Sequence, residues 1–193
     1  MIAGGPRLKR WTLEEYRRFV EIGAIGPESR VEFVEGEIIE KMGQNFPHIE
    51  TLGAVAEALR IAFGSAFHVR EARPIRIETS EPEPDVSVLS GHPHDYHGRH
   101  PEPEEMALLV EVSDTTLAYD RARKAALYAR GGVAEYWIVD LNGRHLIVHR
   151  GPLADGGWTE IRTLGPGEYV APLSVPESSI AVAEILPPDE PIS

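Results

Sequence analysis

The sequence predicts an α/β protein built on a mixed α+β sheet, with a helix and hairpin before the sheet and further antiparallel strands at its C-terminal side. Three observations carry this. Ile49, Leu52, Val55, Ala56, Leu59 and Phe63 recur at helical spacing and are followed by a series of short strand-like runs. One of those runs, ALLVEV, is apolar on both faces, as a central strand covered on both sides would be. Asn142-Gly143 between WIVD and HLIVH is a hairpin signal, so the sheet continues antiparallel beyond it.

The elements follow in order. Thr12 and Glu15 form a capping box, with Trp11 and Tyr16 placed as a hydrophobic staple, which predicts a helix over about 13–22 that stops at Gly23. VEFV and EIIE flank Glu35-Gly36 and read as a hairpin. Glu32 shares a strand face there with Val34 and Ile39, and a carboxylate in that position is expected to be solvated at a sheet margin. The apolar stripe predicts a core helix over about 47–63, with Pro47 in its first turn and Gly64 at its stop. Strands are expected at 66–70, 74–78, 85–89, 107–113 and 135–140, with a helix at about 118–130 ended by Gly131-Gly132. Runs at 158–163 and 180–186 read as further strands. Segment 90–106 is one long loop holding His92, His94, His97 and His100; the spacing fits no zinc-finger pattern, so it reads as a solvated polar loop. The chain is expected to be one domain over 1–193, with a core at about 12–150, a strand extension at about 151–186 and a tail at 187–193.

Composition narrows the functions. At 193 residues, 42% hydrophobic and 26% charged, the chain can bury a substantial core. It contains no cysteine, which removes disulfides, thiolate metal sites and cysteine nucleophiles. No run of apolar residues is long enough for a membrane span, and MIAGGPRLKRW lacks the apolar core of a secretory signal, so a cytoplasmic protein is expected. The net charge of −12, from 31 acidic and 19 basic residues, argues against a surface that grips nucleic acid everywhere. A local cluster would suffice, because attraction is screened beyond about 8–10 Å. Arg121, Arg123, Lys124 and Arg130 could supply it.

Chemistry concentrates at three places. Pro84 holds its approach extended, and the run DVSVL turns Asp85 and Ser87 to one face. Glu111 and Ser113 share a face near the end of the central strand, where ligand sites in α/β sheets gather. Lys124 lies one helical turn after Asp120 and one before Tyr128. Each feature taken singly also fits a bland reading, a surface pair for Asp120 and Lys124 among them.

Together, PEPDVSVL, LLVEVS, D-x-x-x-K-x-x-x-Y and GVAEYWIVD resemble the Uma-type putative restriction endonucleases, a bacterial family within the PD-(D/E)XK nuclease superfamily, over roughly residues 12–150. The resemblance implies an α-β-β-β-α-β restriction-endonuclease-like core and hydrolysis of DNA by water activated at Mg²⁺ or Mn²⁺. It implies Asp85 and Glu111 as metal ligands, Lys124 as the group that stabilises charge or orients water, and Glu32 as an acidic assistant at the metal. His48 matches a polar position of the family, and Asp120 would orient Lys124. The superfamily lysine two positions after the acidic residue is here Ser113, with Lys124 filling its space. Tyr128 and Trp137 read as packing. A homodimer would allow both strands to be cut. Two alternatives stand beside this reading. A catalytically silent binding module would fail to bind a divalent ion, and a metal-dependent hydrolase of a non-nucleic substrate would depend on the histidine loop and not on Asp85.

Overall fold

The computed structural model describes residues 7–187. Residues 1–6 and 188–193, the latter comprising nearly all of the expected tail, lie outside the described residues. Helix α1 (Leu13–Glu21) starts at Thr12 with both halves of its capping box formed. The expected Trp11–Tyr16 staple gives way to two other ring pairs. Trp11 meets Phe19 edge-on at 5.0 Å, and Tyr16 stacks on Phe33 at 4.8 Å, tying α1 to the hairpin.

That hairpin comprises β1 (Val31–Val34) and β2 (Glu37–Glu40), joined through Glu35 (φ 51°) and Gly36 (φ 83°). Two consecutive positive φ values make a primed turn whose twist matches the strands. Helix α2 (Phe46–Phe63) is capped by Asn45, whose side chain accepts from the His48 N–H. It buries Ala56 together with Leu52, Val55, Leu59 and Phe63, the four larger side chains each contributing about 1.5–3 kcal/mol of apolar transfer.

A six-stranded sheet forms the centre, in the order β3 (Phe67–Glu71), β4 (Val86–Ser90), β5 (Met106–Ser113), β6 (Glu135–Asp140), β7 (His145–Pro152) and β8 (Trp158–Leu164). All neighbours are antiparallel except β5 and β6, whose parallel pairing requires the crossover helix at 117–130. Leu108, Val110 and Val112 of β5 pack with α2, whereas Leu109 packs with Leu127 and Tyr128 of the crossover helix. The two helices therefore cover opposite faces of the sheet, and β5 is buried on both sides, as its sequence predicts.

Two expected strands differ. Segment 74–78 forms only an isolated bridge between Ile77 and Ser80, although Ile75 and Ile77 are fully buried; the β-rich residues pack under the loop without a partner strand. Of 180–186, only β10 (Ile180–Ala181) is extended, paired with β9 (Tyr169–Val170), and Val182–Ile185 turns into a 3₁₀ helix that buries Val182 and Ile185 on α2. The loop at 90–106 is irregular apart from two short 3₁₀ turns, and its ends are pinned by Asp95 and by Arg99 on Glu105. Among the described residues no helix is long and apolar enough to cross a membrane.

Candidate active site

Sheet register brings the first two acidic residues together. Val86 pairs with Val110 in the antiparallel β4–β5 ladder, so one step further Asp85 faces Glu111. Asp85 Oδ2 accepts the Val112 N–H at 2.8 Å, and Oδ1 lies 3.3 Å from His48 Nε2. The His48 ring reaches the carboxylate because Asn45 caps α2 and thereby fixes its first turn over the strand ends; Asn45 Nδ2 in turn donates to Asp114. Burial works against the Asp85 charge, but the His48 contact, the Val112 N–H and the Lys124 charge outweigh it and hold the carboxyl below the ordinary aspartate range.

Lys124 comes from the opposite side. The crossover helix runs as α-helix over Leu117–Tyr119, as π-helix over Asp120–Lys124 and as α-helix over Ala125–Arg130. The wider π turn rotates the side chains that follow it, a feature that recurs at functional sites. It turns Asp120 and Lys124 inward, both buried, so the bland expectation of a surface pair does not hold. Lys124 Nζ lies 2.8 Å from Glu111 Oε1 and 3.1 Å from Glu32 Oε2. Burial pushes the Glu111 carboxyl up to about 8 against the pull of Lys124. Burial also disfavours the Lys124 charge, yet Glu111, Glu32 and Asp120 hold its ammonium well above the ordinary lysine range. With three carboxylates about one ammonium, the lysine keeps its proton and any neutralisation falls on the carboxyl side.

Glu32 departs from its expected solvation. It is 4% exposed, because the hairpin folds down over the crossover helix and delivers the carboxylate to Lys124. Its Oε2 also accepts the Glu83 N–H at 3.0 Å, and Tyr119 Oη donates to Oε1 at 3.4 Å. Arg123 holds this arrangement in place by bonding Glu35, Glu37 and the Val34 carbonyl, and Arg130 pairs with Glu35. The anticipated basic cluster is thus committed to the hairpin rather than open to a ligand, and Arg121 is left exposed.

Asp120 makes no hydrogen bond to Lys124. It accepts from Ser113 Oγ at 2.6 Å and Thr116 Oγ1 at 2.7 Å, so it acts on the lysine through charge alone, and Ser113 serves as its anchor. Sequence reasoning missed two tyrosines. Tyr128, read as packing, donates from Oη to Glu111 Oε1 at 2.9 Å, and Tyr119 touches Glu32. Tyr128 was findable, since it lies one turn beyond Lys124 on the same helix face.

These groups open on a cleft of about 240 Å³. Six carboxylates line it (Glu32, Glu40, Asp85, Glu111, Asp114 and Asp120), against the ammoniums of Lys41 and Lys124. Such hard oxygen donors suit Mg²⁺ or Mn²⁺. Among the described residues no three His, Cys, Asp or Glu side chains gather closely enough to enclose an ion. Asp85 and Glu111 are the pair that could hold one, and Glu111 Oε2 receives no hydrogen bond from the described residues. Mg²⁺ commonly binds through one or two carboxylates with water and phosphate completing its shell. None of the four loop histidines lines the cleft; His92 and His94 stack at 4.9 Å, and His100 lies 3.8 Å from Glu81.

The model of the Uma2 family, described as "Putative restriction endonuclease", matches residues 13–183. The fold is similar to the crystal structure of a putative nuclease belonging to DUF820 from Anabaena variabilis, with a TM-score of 0.70 and 15% identity over 90% of this chain and 96% of that one. At that identity the likeness speaks for the fold, a mixed sheet of the restriction-endonuclease-like kind. No curated protein matches the chain.

Proposed function

The chain belongs to the Uma2 family of putative restriction endonucleases, and from that premise we propose that it is a metal-dependent endonuclease that hydrolyses DNA phosphodiester bonds. One observation carries the reading: Asp85, Glu111 and the Lys124 ammonium converge from two strands and a helix at the floor of one cleft. Asp85 and Glu111 would hold Mg²⁺ or Mn²⁺. The bound ion would lower the pKa of an attacking water and offset phosphate charge. The acidity of the lining supports this requirement, because six carboxylates against two ammoniums would otherwise repel a phosphate.

The chain's own residues supply the remainder. Lys124 presents a fixed positive charge beside the position the phosphate would take, with no reorganisation needed when charge develops. Glu32, Glu111 and Asp120 keep it charged, and Tyr128 orients the Glu111 oxygen that faces it. His48 and the Val112 N–H fix the Asp85 carboxylate, leaving it ionised. This reading involves no covalent intermediate. A homodimer would let both strands be cut, and sedimentation velocity tests it.

Nicking of supercoiled plasmid at low salt tests the function, with Mn²⁺, Mg²⁺ or chelator. Metal-dependent nicking by the wild type, lost in Asp85→Ala, is expected. Absence of nicking with either ion would instead favour a silent binding module.

A further inference from the structure

Three hollows run into one another along the face that carries the hairpin. The acidic cleft shares Lys41 and Gln44 with a second hollow. The second shares Tyr16, Val20, Val31 and Glu83 with a third, which measures about 810 Å³. Five arginines line the third: Arg17, Arg70, Arg73, Arg76 and Arg99. In a chain with only 19 basic residues and a net charge of −12, that is a marked local concentration.

Most of the carboxylates along this path are already matched. Glu81 takes Arg17, with Nε at 2.8 Å, Glu83 takes Lys41 at 2.5 Å, and Glu102 lies 3.7 Å from Arg76. Arg99 forks onto Glu105 with two bonds of 2.7 Å. What remains is cationic. Among the described residues, Arg30 in the second hollow reaches only the Met42 carbonyl, and half-buried Arg70 in the third reaches only the Pro74 carbonyl. Arg73 is exposed and has no ion pair among the described residues, and on the acidic side only Glu21 is unmatched. A guanidinium drawn partly out of water without a counter-charge is costly. The planar fork of arginine fits phosphate oxygens in pairs.

We propose that this trough carries the phosphodiester backbone of the substrate strand away from the cleft, with Arg30, Arg70 and Arg73 taking its phosphates. The inference rests on the nuclease reading and assigns the DNA its path. It also reconciles a strongly acidic protein with a polyanionic substrate: attraction needs only this strip, since charges elsewhere are screened within about 8–10 Å.

Fluorescence anisotropy with a labelled single-stranded oligodeoxynucleotide, in chelator and over a salt series, tests the trough apart from cleavage. The wild type is expected to bind at low salt. Arg73→Gln should weaken binding several-fold and lower the slope of log affinity against log salt by about 0.7, and Arg30→Gln/Arg73→Gln by about 1.4. Arg162→Gln, which removes an exposed cation on β8, should leave binding unchanged. No binding by the wild type, or equal loss in Arg162→Gln, overturns the trough. So does displacement of the oligonucleotide by inorganic phosphate better than by chloride at equal ionic strength, which would mark a site for a small anion. Nicking measured in parallel with Mn²⁺ separates the two readings. Trough variants that lose binding while the wild type never nicks would retain the trough and remove the nuclease; nicking with binding untouched by the variants would do the reverse.

Discussion

Lys124 Nζ sits 2.8 Å from Glu111 Oε1 with both side chains almost wholly excluded from water. Glu32 closes the other side at 3.1 Å, so a single ammonium serves two buried carboxylates. Removing one partner of such a pair leaves an uncompensated buried charge. Lys124→Met is expected to lose cleavage and to destabilise the fold by about 3–5 kcal/mol in urea unfolding. Adding Glu111→Gln to it should recover part of that loss; a double variant as unstable as the sum of the singles would contradict the pairing.

His149 predicts a pH dependence. Its ring lies between Tyr136 at 5.3 Å and Trp158 at 5.6 Å, and its buried Nδ1 has no hydrogen-bond partner among the described residues. Burial lowers its pKa from 6.5 to about 4. The folded state therefore binds this proton more weakly than the unfolded chain. Stability from this group is fully present above pH about 6.5 and is lost as the pH falls toward 4, by about 3 kcal/mol. The difference in unfolding free energy between wild type and His149→Phe, followed from pH 7 down to 4, should change by that amount; a constant difference would show that the ring titrates normally.

Glu135 fastens the C-terminal segment to the sheet. It is fully buried, accepts from Arg150 Nε at 2.8 Å and Trp137 Nε1 at 2.9 Å, and takes the Leu173 N–H at 2.7 Å. Arg150→Met would strand this carboxylate and cost about 3–5 kcal/mol. Limited proteolysis is expected to cut the 165–179 segment faster in the variant than in the wild type, while the 67–140 strands stay protected.

The hairpin turn gives a backbone prediction. Gly36 has φ +83°, and a Cβ there would come within 3.0 Å of Arg10 Cβ and 3.1 Å of the Trp11 carbonyl. Gly36→Ala should lower stability by about 1–2 kcal/mol from backbone conformation alone, with the close contacts adding to it. Thermal unfolding measures this, and an unchanged midpoint would mean that the turn has relaxed.

Local pattern was enough to place most elements, because helices and strands answer to periodicity, caps and turn residues that lie within a few positions of one another. The Thr12 cap, the Glu35-Gly36 turn, the α2 stripe and the doubly apolar β5 all read directly. Segment 74–78 did not, since a strand needs a neighbour and no local signal shows whether Ile75 and Ile77 meet one. The same holds for 180–186, where packing on α2 curls the chain after two extended residues.

The carboxylates and the lysine were recognisable as residues, and their motif spacing carried the family. Their state was decided by the tertiary fold alone. Glu32 lies 92 positions before Lys124, and only the hairpin folding over the crossover helix turns an apparently solvated acid into the second partner of a buried ammonium. Tyr128 reaches Glu111 for the same reason. Burial and charge neighbours set how each group is ionised, and they are properties of contacts between distant segments, which alternation along one strand or one helix does not encode.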